Sequence, residues 1–124
     1  MSILRLFQPK VTVPSGSAQS FPTASSYYDS SELNAVTIIC APAAATARQI
    51  TFTFADNEEN VLLTVTKTLA ATTAMKVISV GLVAVAGDFV ASGDNIAQFM
   101  ILPPKLRVTV VSAAVNFDIS IIGR

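Results

Sequence analysis

Apolar and polar residues alternate in short runs over most of the chain after residue 34. In one such run Ile50, Phe52 and Phe54 are separated by Thr51 and Thr53. A period of two places successive side chains on opposite faces of the backbone, which is typical of strands with one buried face. The pattern therefore predicts β-structure for residues 35–124.

A polar segment over residues 56–60 interrupts this alternation, which then resumes in residues 61–66. Two alternating runs around a short polar loop predict a β-hairpin. Buried residues must face the same side across the ladder, which sets the register. The predicted partners are Phe54 with Val61, Phe52 with Leu63, and Ile50 with Val65.

Residues 106–110 and 115–121 repeat the alternation near the C-terminus. A turn around residues 112–114 predicts a second hairpin, with Val110 opposite Val115. That register would place Arg107 opposite Asp118 as a cross-strand pair of opposite charges.

Residues 76–86 and 96–102 are rich in apolar residues but do not alternate cleanly, which is typical of strands covered on both faces. Residues 41–47 and 69–74 could be short helical turns or loops, and 70–75 could form an alanine-rich helix. Seven or so short strands separated by turns predict an all-β fold, which could be a sandwich, a jelly roll or a barrel. Of these we expect an antiparallel β-sandwich or jelly roll.

The first 34 residues differ from the rest because they are rich in serine and contain Pro14, Gly16 and Pro22. They also begin with an apolar stretch that a freely solvated tail would not carry. We therefore divide the chain into an extended, Ser-rich N-terminal arm over residues 1–34 and an antiparallel β domain over 35–124.

The composition adds an apolar surplus, with 52% hydrophobic and 13% charged residues, against about 45–50% and about 25% in soluble domains. The richest stretch, residues 69–91, contains Lys76 and Asp88, so we expect no membrane span. Arg5, Gln8 and Pro9 interrupt the first apolar run, which is unlike a secretory signal. We therefore expect contacts with other protein subunits to bury the excess apolar surface.

The residue inventory removes most catalytic chemistry. The chain has no histidine and a single cysteine, Cys40, which excludes Ser-His-Asp and Cys-His catalysis and the usual structural zinc sites. We interpret Cys40 as a small buried hydrophobic residue. The net charge is zero and no basic stripe or glycine-rich phosphate loop occurs, so we expect no nucleic acid, nucleotide or other cofactor, and no enzymatic activity.

Carboxylates in predicted turns are the remaining chemical candidates. Oxygen ligands from one loop can hold calcium, but the spacing here lacks the EF-hand pattern, and a plain turn is the favoured interpretation. An acidic enzyme site would use Asp88 or Asp94. The calcium candidates are Asp56, Glu58, Glu59, Asp88 and Asp94.

The apolar surplus, the apolar arm and the strand edges together indicate assembly with other subunits, because an exposed strand edge must be covered. An arm lent to a neighbour would close a symmetric homo-oligomer, and we expect a trimer. The predicted subunit or shell contacts are Ile3, Leu4, Leu6, Phe7, Val11 and Val13, with Phe21, Tyr27 and Tyr28 as secondary contacts.

The closing segment reads Ile-Leu-Pro-Pro-Lys-Leu-Arg-Val-Thr-Val over 101–110 and Phe-Asp-Ile-Ser-Ile-Ile-Gly-Arg over 117–124. It resembles the C-terminal hairpin of small bacteriophage virion proteins of the capsid decoration or cement type. The resemblance implies a β-sandwich or jelly roll that is made in the host cytoplasm, binds a major capsid protein or other virion protein, and stabilises the shell.

A different class of function also fits the sequence, namely a carbohydrate-binding or adhesive β-sandwich module of a fibre or cell surface. Tyr27, Tyr28 and Phe21 could provide an aromatic platform for a sugar or a base, although contact points with a neighbouring subunit are the favoured interpretation. The absence of tryptophan favours the structural subunit instead.

Overall fold

The computed structural model describes residues 5–14, 16, 18–42, 46–72, 76–81, 102–112 and 117–123, and within them every regular element is a β-strand. None of these residues belongs to a helix long and apolar enough to cross a membrane. The strands are β1 Arg5–Val13, β2 Ala18–Phe21, β3 Tyr28–Asp29, β4 Ala35–Pro42, β5 Thr46–Ala55, β6 Val61–Thr72, β7 Lys76–Gly81, β8 Lys105–Ser112 and β9 Phe117–Gly123.

The strands form two antiparallel sheets. Sheet A has the order β1-β9-β4-β7, and sheet B has the order β2-β8-β5-β6, with β3 also paired to β8. Since β2 and β3 follow each other along β8, they act as one interrupted strand. Two four-stranded sheets in this order form a jelly roll, which confirms the predicted all-β sandwich class.

The core lies between the two sheets. Ile50, Phe52 and Phe54 of β5 are fully buried and belong to one cluster with Ile38 and Ile121 of sheet A. The alternation in the sequence therefore identified the buried face of β5 correctly.

The predicted hairpin over residues 50–66 exists as β5 and β6, but its predicted register is wrong by two residues. Phe54 lies opposite Leu63 rather than Val61. The same shift continues along the ladder, where Phe52 lies opposite Val65 and Ile50 lies opposite Lys67. The cause is an irregularity at the turn, where Ala55 pairs with Val61 and the next pair is Phe54 with Leu63. This leaves Val61 57% exposed instead of buried.

The predicted C-terminal hairpin is wrong. Strand β8 pairs with β2, β3 and β5 in sheet B, whereas β9 pairs with β1 and β4 in sheet A. Arg107 consequently faces Thr53, and Asp118 faces Thr12. Alternation shows which side of a strand is buried, but not which sheet the strand belongs to. Two strands that face the core from different sheets have the same alternating pattern as two paired strands of one hairpin.

The N-terminal segment is extended but forms part of both sheets of its own domain. Strand β1 is antiparallel to β9, and β2 and β3 are antiparallel to β8. Val13, Phe21 and Leu33 lie in the core with exposures of 0%, 4% and 3%. The division at residue 34 stays a prediction about domain organisation.

Several further expectations have a partial answer. Residues 70–72 belong to β6, so the alternative helix over 70–75 does not begin there, while 73–75 lie outside the described residues. Residues 41, 42, 46 and 47 are also in strands. Of the predicted strands over 76–86 and 96–102, β7 covers 76–81, Leu102 is buried outside any strand, and the remainder is outside the described part.

Replacing a core aromatic residue tests the assignment of faces. Phe52→Ala should lower the free energy of unfolding by about 3–5 kcal/mol because it leaves a cavity between the sheets. The control Thr51→Ala, one residue away on the outer face, should change it by less than about 1 kcal/mol. Urea denaturation measures both, and similar losses for the two variants would contradict the assignment.

Candidate interaction surface

Seven of the nine predicted contact residues lie in the described part of the chain, and they fall into three groups by exposure. Leu6 is 60% exposed, whereas Val13 and Phe21 are buried in the core of their own domain and have almost no surface left for a partner. Phe7, Val11 and Tyr28 are partly buried against that core, and Tyr27 is half-buried. Ile3 and Leu4 lie outside the described residues.

The outer face of sheet A has an unusual composition. Leu6 pairs with Ile122, which pairs with Thr37, and Ile39 pairs with Val77 on the same face. We call Leu6, Ile39, Val77 and Ile122 the apolar outer face. The side chains of Ile39, Val77 and Ile122 are half-buried. Thr37 and Ser79 also lie on this face, almost fully buried at 2% and 0% exposure, with their hydroxyl oxygens 2.9 Å apart. The middle of the face is therefore buried within the chain, and Leu6 is its exposed apolar residue.

The outer face of sheet B is polar by contrast. Ser20, Thr109, Thr51 and Thr66 form one row across its four strands. The Ser20 and Thr109 hydroxyls are 2.8 Å apart, and those of Thr51 and Thr66 are 3.1 Å apart. Cross-strand hydroxyl pairs of this kind stabilise a solvated sheet face. The hydroxyl row of sheet B is exposed or half-buried, whereas the Thr37 and Ser79 hydroxyls of sheet A are buried.

Ion pairs border the apolar outer face along β1. The Arg5 guanidinium lies 3.5 Å from the Glu32 carboxylate and donates a 3.3 Å hydrogen bond to the Asp29 carbonyl. The Lys10 ammonium lies 3.4 Å from Asp118, whose carboxylate also accepts a 2.6 Å bond from the Thr12 hydroxyl. The Thr12 bond and then Lys10 lower the pKa of Asp118. Both basic groups of β1 are thus neutralised locally.

A stack of two aromatic rings anchors β1 behind Leu6. The rings of Phe7 and Tyr28 lie 4.6 Å apart at 23°. A Cβ atom at Gly123 would approach Leu33 Cδ1 to 2.5 Å and Phe7 Cε2 to 2.7 Å, so glycine is needed for this close approach. Burial raises the pKa of Tyr28 to about 12, and its hydroxyl is buried with no hydrogen-bond partner in the described part of the chain.

Tyr27 has a different environment. Its ring lies beneath the Arg107 guanidinium, 4.2 Å from the ring centroid, and Arg107 Nε donates a 2.9 Å bond to the Ser26 carbonyl. One face of Tyr27 is therefore occupied by a cation–π contact, and Tyr28 is occupied by Phe7. The two tyrosines do not form one open aromatic platform.

The acidic segment 56–60 is a structured turn. The Asp56 carboxylate accepts bonds from the backbone N–H groups of Glu58 and Asn60, both at 2.9 Å, and from the Asn60 amide at 3.2 Å. These bonds lower the pKa of Asp56, led by the backbone bond from Asn60. Glu59 has a positive φ of 65°. The hydrogen bonds of the turn thus explain why a carboxylate stands at position 56.

The described residues contain no group of three or more potential metal ligands. Asp88 and Asp94, which were candidates for calcium and for an acidic enzyme site, lie outside them. Cys40 is fully buried in the core, as expected for a small hydrophobic residue.

Two apolar residues at the start of β6 were missed by the sequence analysis. Val61 and Leu62 are 57% and 58% exposed and directly follow the acidic turn. The alternation assigned Val61 to the core because it could not reveal the irregular pairing with Ala55. The sequence contained one indication of this exposure, the three consecutive apolar residues 61–63. A strand with a strict period of two cannot bury all three side chains on one face.

Comparisons with known proteins give no family. No family model and no curated protein matches the chain. Among solved structures, a chain of the viral particle of infectious bursal disease virus is 8% identical to this chain, with a TM-score of 0.46. The similarity extends over 97% of this chain but only 30% of the viral chain.

Two further solved structures are similar at the same low level. The SPBc2 prophage-derived protein YomS is 14% identical with a TM-score of 0.41, over 99% of this chain and 96% of its own. An agarase is 11% identical with a TM-score of 0.44, over 94% of this chain and 19% of its own. Because all these TM-scores lie below 0.5, the likenesses carry no functional argument.

The contact around Gly123 can be tested by adding one methyl group. Gly123→Ala should destabilise the protein by about 1–3 kcal/mol, because the new Cβ overlaps Leu33 and Phe7. In a Leu33→Ala background the same substitution should cost less, since one obstacle is gone. Denaturant titration of the double-mutant cycle measures the difference, and strictly additive effects would contradict the overlap.

The turn predicts a pH dependence. Because the pKa of Asp56 is lower in the folded than in the unfolded chain, its ionised form stabilises the fold above about pH 4, and this contribution is lost as the pH falls through the folded pKa. Asp56→Asn should therefore be less stable than the parent protein at pH 7, with a smaller difference near pH 2. Thermal melting at both values measures this, and a difference that is independent of pH would contradict it.

Proposed function

We propose that this chain is a non-enzymatic structural subunit of a virion, specifically a phage capsid decoration or cement subunit. It binds a major capsid protein or another virion protein through the apolar outer face of sheet A. In this role it stabilises the shell by contact alone and needs no cofactor.

The observation that carries the proposal is the contrast between the two outer faces. On sheet A, Leu6 is 60% exposed beside the half-buried Ile122, and the hydroxyl residues Thr37 and Ser79 are buried. The outer face of sheet B instead displays a row of hydroxyl groups that are exposed or half-buried. Covering one exposed leucine contributes roughly 1–2 kcal/mol. A lattice of many subunits multiplies such modest contacts into strong attachment.

The jelly roll is compatible with this role but does not decide it. The same architecture occurs in viral capsid domains, lectins and enzymes, so a function must be argued from the surface and its chemistry. Support for the virion role therefore comes from the chain's own apolar outer face, its low charge content and its resemblance to small virion proteins.

Exposure supports only some of the predicted contact residues. Leu6 is 60% exposed with Ile122 beside it, so we propose these two as contacts, whereas Val13 and Phe21 are buried in the core. Deleting residues 1–20 would remove β1 and most of β2 and would disrupt both sheets. A point substitution on the outer face is the more informative test. The expected trimer stays a prediction that a measurement of mass in solution can check.

A single charge on the apolar outer face should weaken attachment to the shell. Purified particles from the source virus should contain the chain in fixed proportion to the shell protein, measured by quantitative mass spectrometry. Recombinant protein should rebind to particles stripped of the chain, and Leu6→Asp should weaken rebinding at least about tenfold because the carboxylate must be desolvated.

The matched control is Val111→Asp, because Val111 is an exposed apolar residue on the outer face of sheet B, at 37%. This variant should rebind like the parent chain. Absence of the chain from purified particles would overturn the virion role, and equal loss in the two variants would overturn the assignment of the docking face.

A further inference from the structure

The strand edges of the two sheets are protected to very different degrees. Strand β1 contains Pro9 and two register shifts, while β2 and β3 have only four and two residues. Prolines, bulges and short strands are the devices that prevent unwanted pairing at an edge. Strand β6 has twelve residues without proline or glycine, and in the described part of the chain it pairs only with β5. The remaining edge strand of sheet A, β7, has six residues, so β6 is the longest uninterrupted edge strand in the described part of the chain.

The chemistry at the start of β6 is divided between apolar and charged groups. Val61 and Leu62 are more than half exposed. Just before them, Glu58 and Glu59 are exposed at the tip of the turn, and six residues after Val61 comes Lys67, the one charged residue of the strand. Opposite charges thus flank a short apolar segment.

This order of residues is self-complementary in the antiparallel direction. If Leu63 lies opposite Leu63 of a second copy in an antiparallel ladder, the numbers of any two paired residues add up to 126. Val61 then lies opposite Val65 of the second copy and Leu62 opposite Thr64. Lys67 lies beside the acidic turn that precedes Val61 in the second copy, and this turn contains Glu59. Each contact occurs twice around the two-fold axis, as an isologous interface requires.

We propose that two copies of this chain pair edge to edge through the first half of β6, with the two-fold axis at Leu63. The pairing joins the two B sheets into one continuous sheet of eight strands. It covers Val61 and Leu62, gives the edge its hydrogen bonds, and places Lys67 against the acidic turn of the other copy. Like-charge contacts are avoided in this register.

The contact is independent of the apolar outer face, which lies on the other sheet. The pairing of two β6 strands rests on the proposed function in one respect, namely that the subunit associates with copies of itself. It does not require binding to any other virion protein. A two-fold contact is compatible with the expected trimer only if two trimers join into a six-membered assembly.

A charge exchange tests the register. Sedimentation velocity over a concentration series should show a dimer for the parent chain, or an even-numbered assembly. Lys67→Glu and Glu59→Lys should each weaken the pairing about tenfold, because each places like charges beside one another. The double variant Lys67→Glu/Glu59→Lys should restore it, which a merely destabilised fold would not do.

The control Leu6→Asp, which tests the docking face, should leave the dimer unchanged, so failure of one proposal is distinguishable from failure of the other. Circular dichroism establishes that each variant is folded. A monomeric parent chain at 100 μM or so, on the scale of weak association, would overturn the pairing. A dimer that ignores both single charge reversals, or a double variant that stays weakened, would overturn this register.

Discussion

The packing of the two sheets against each other is the interaction on which the rest of this structure depends. Phe52 and Phe54 on β5, together with Ile38 and Ile121 from the opposite sheet, are fully buried. Strand β5 is central in sheet B, so its buried face fixes which face of β6 and β8 turns inward. Every outer-face assignment, and therefore both proposed contacts, follows from this constraint.

The N-terminal segment illustrates how a jelly roll uses its first strands. Residues 5–34 provide an edge strand for sheet A and an interrupted edge for sheet B, and they bury Val13, Phe21 and Leu33. An apolar segment that looked like an anchor for a neighbour therefore mostly supports its own domain. The outward side of β1 around Leu6 stays exposed, and the adjacent ion pairs of Arg5 and Lys10 leave little net charge there.

Part of the interaction surface could be predicted, and part could not. Leu6 was expected as a contact and is exposed. The apolar outer face as a whole could not be foreseen, because Ile39, Val77 and Ile122 meet only through the pairing of four strands that are distant in sequence. The exposed residues Val61 and Leu62 depend on an irregularity at the β5–β6 turn, where the carboxylate of Asp56 organises the backbone. A fixed period of two cannot encode such an extra residue.

The sequence by itself determined the strand class, the buried side of each alternating run and the existence of the β5–β6 hairpin, because these depend on neighbouring residues along one backbone. Only the tertiary structure decided that β8 and β9 lie in different sheets, that residues 5–34 complete both sheets, and that Asp118 meets Lys10 and Thr12. These are long-range pairings, and many partners satisfy the same local pattern. The choice among them is made by the shared core, which requires all the buried faces to meet at once.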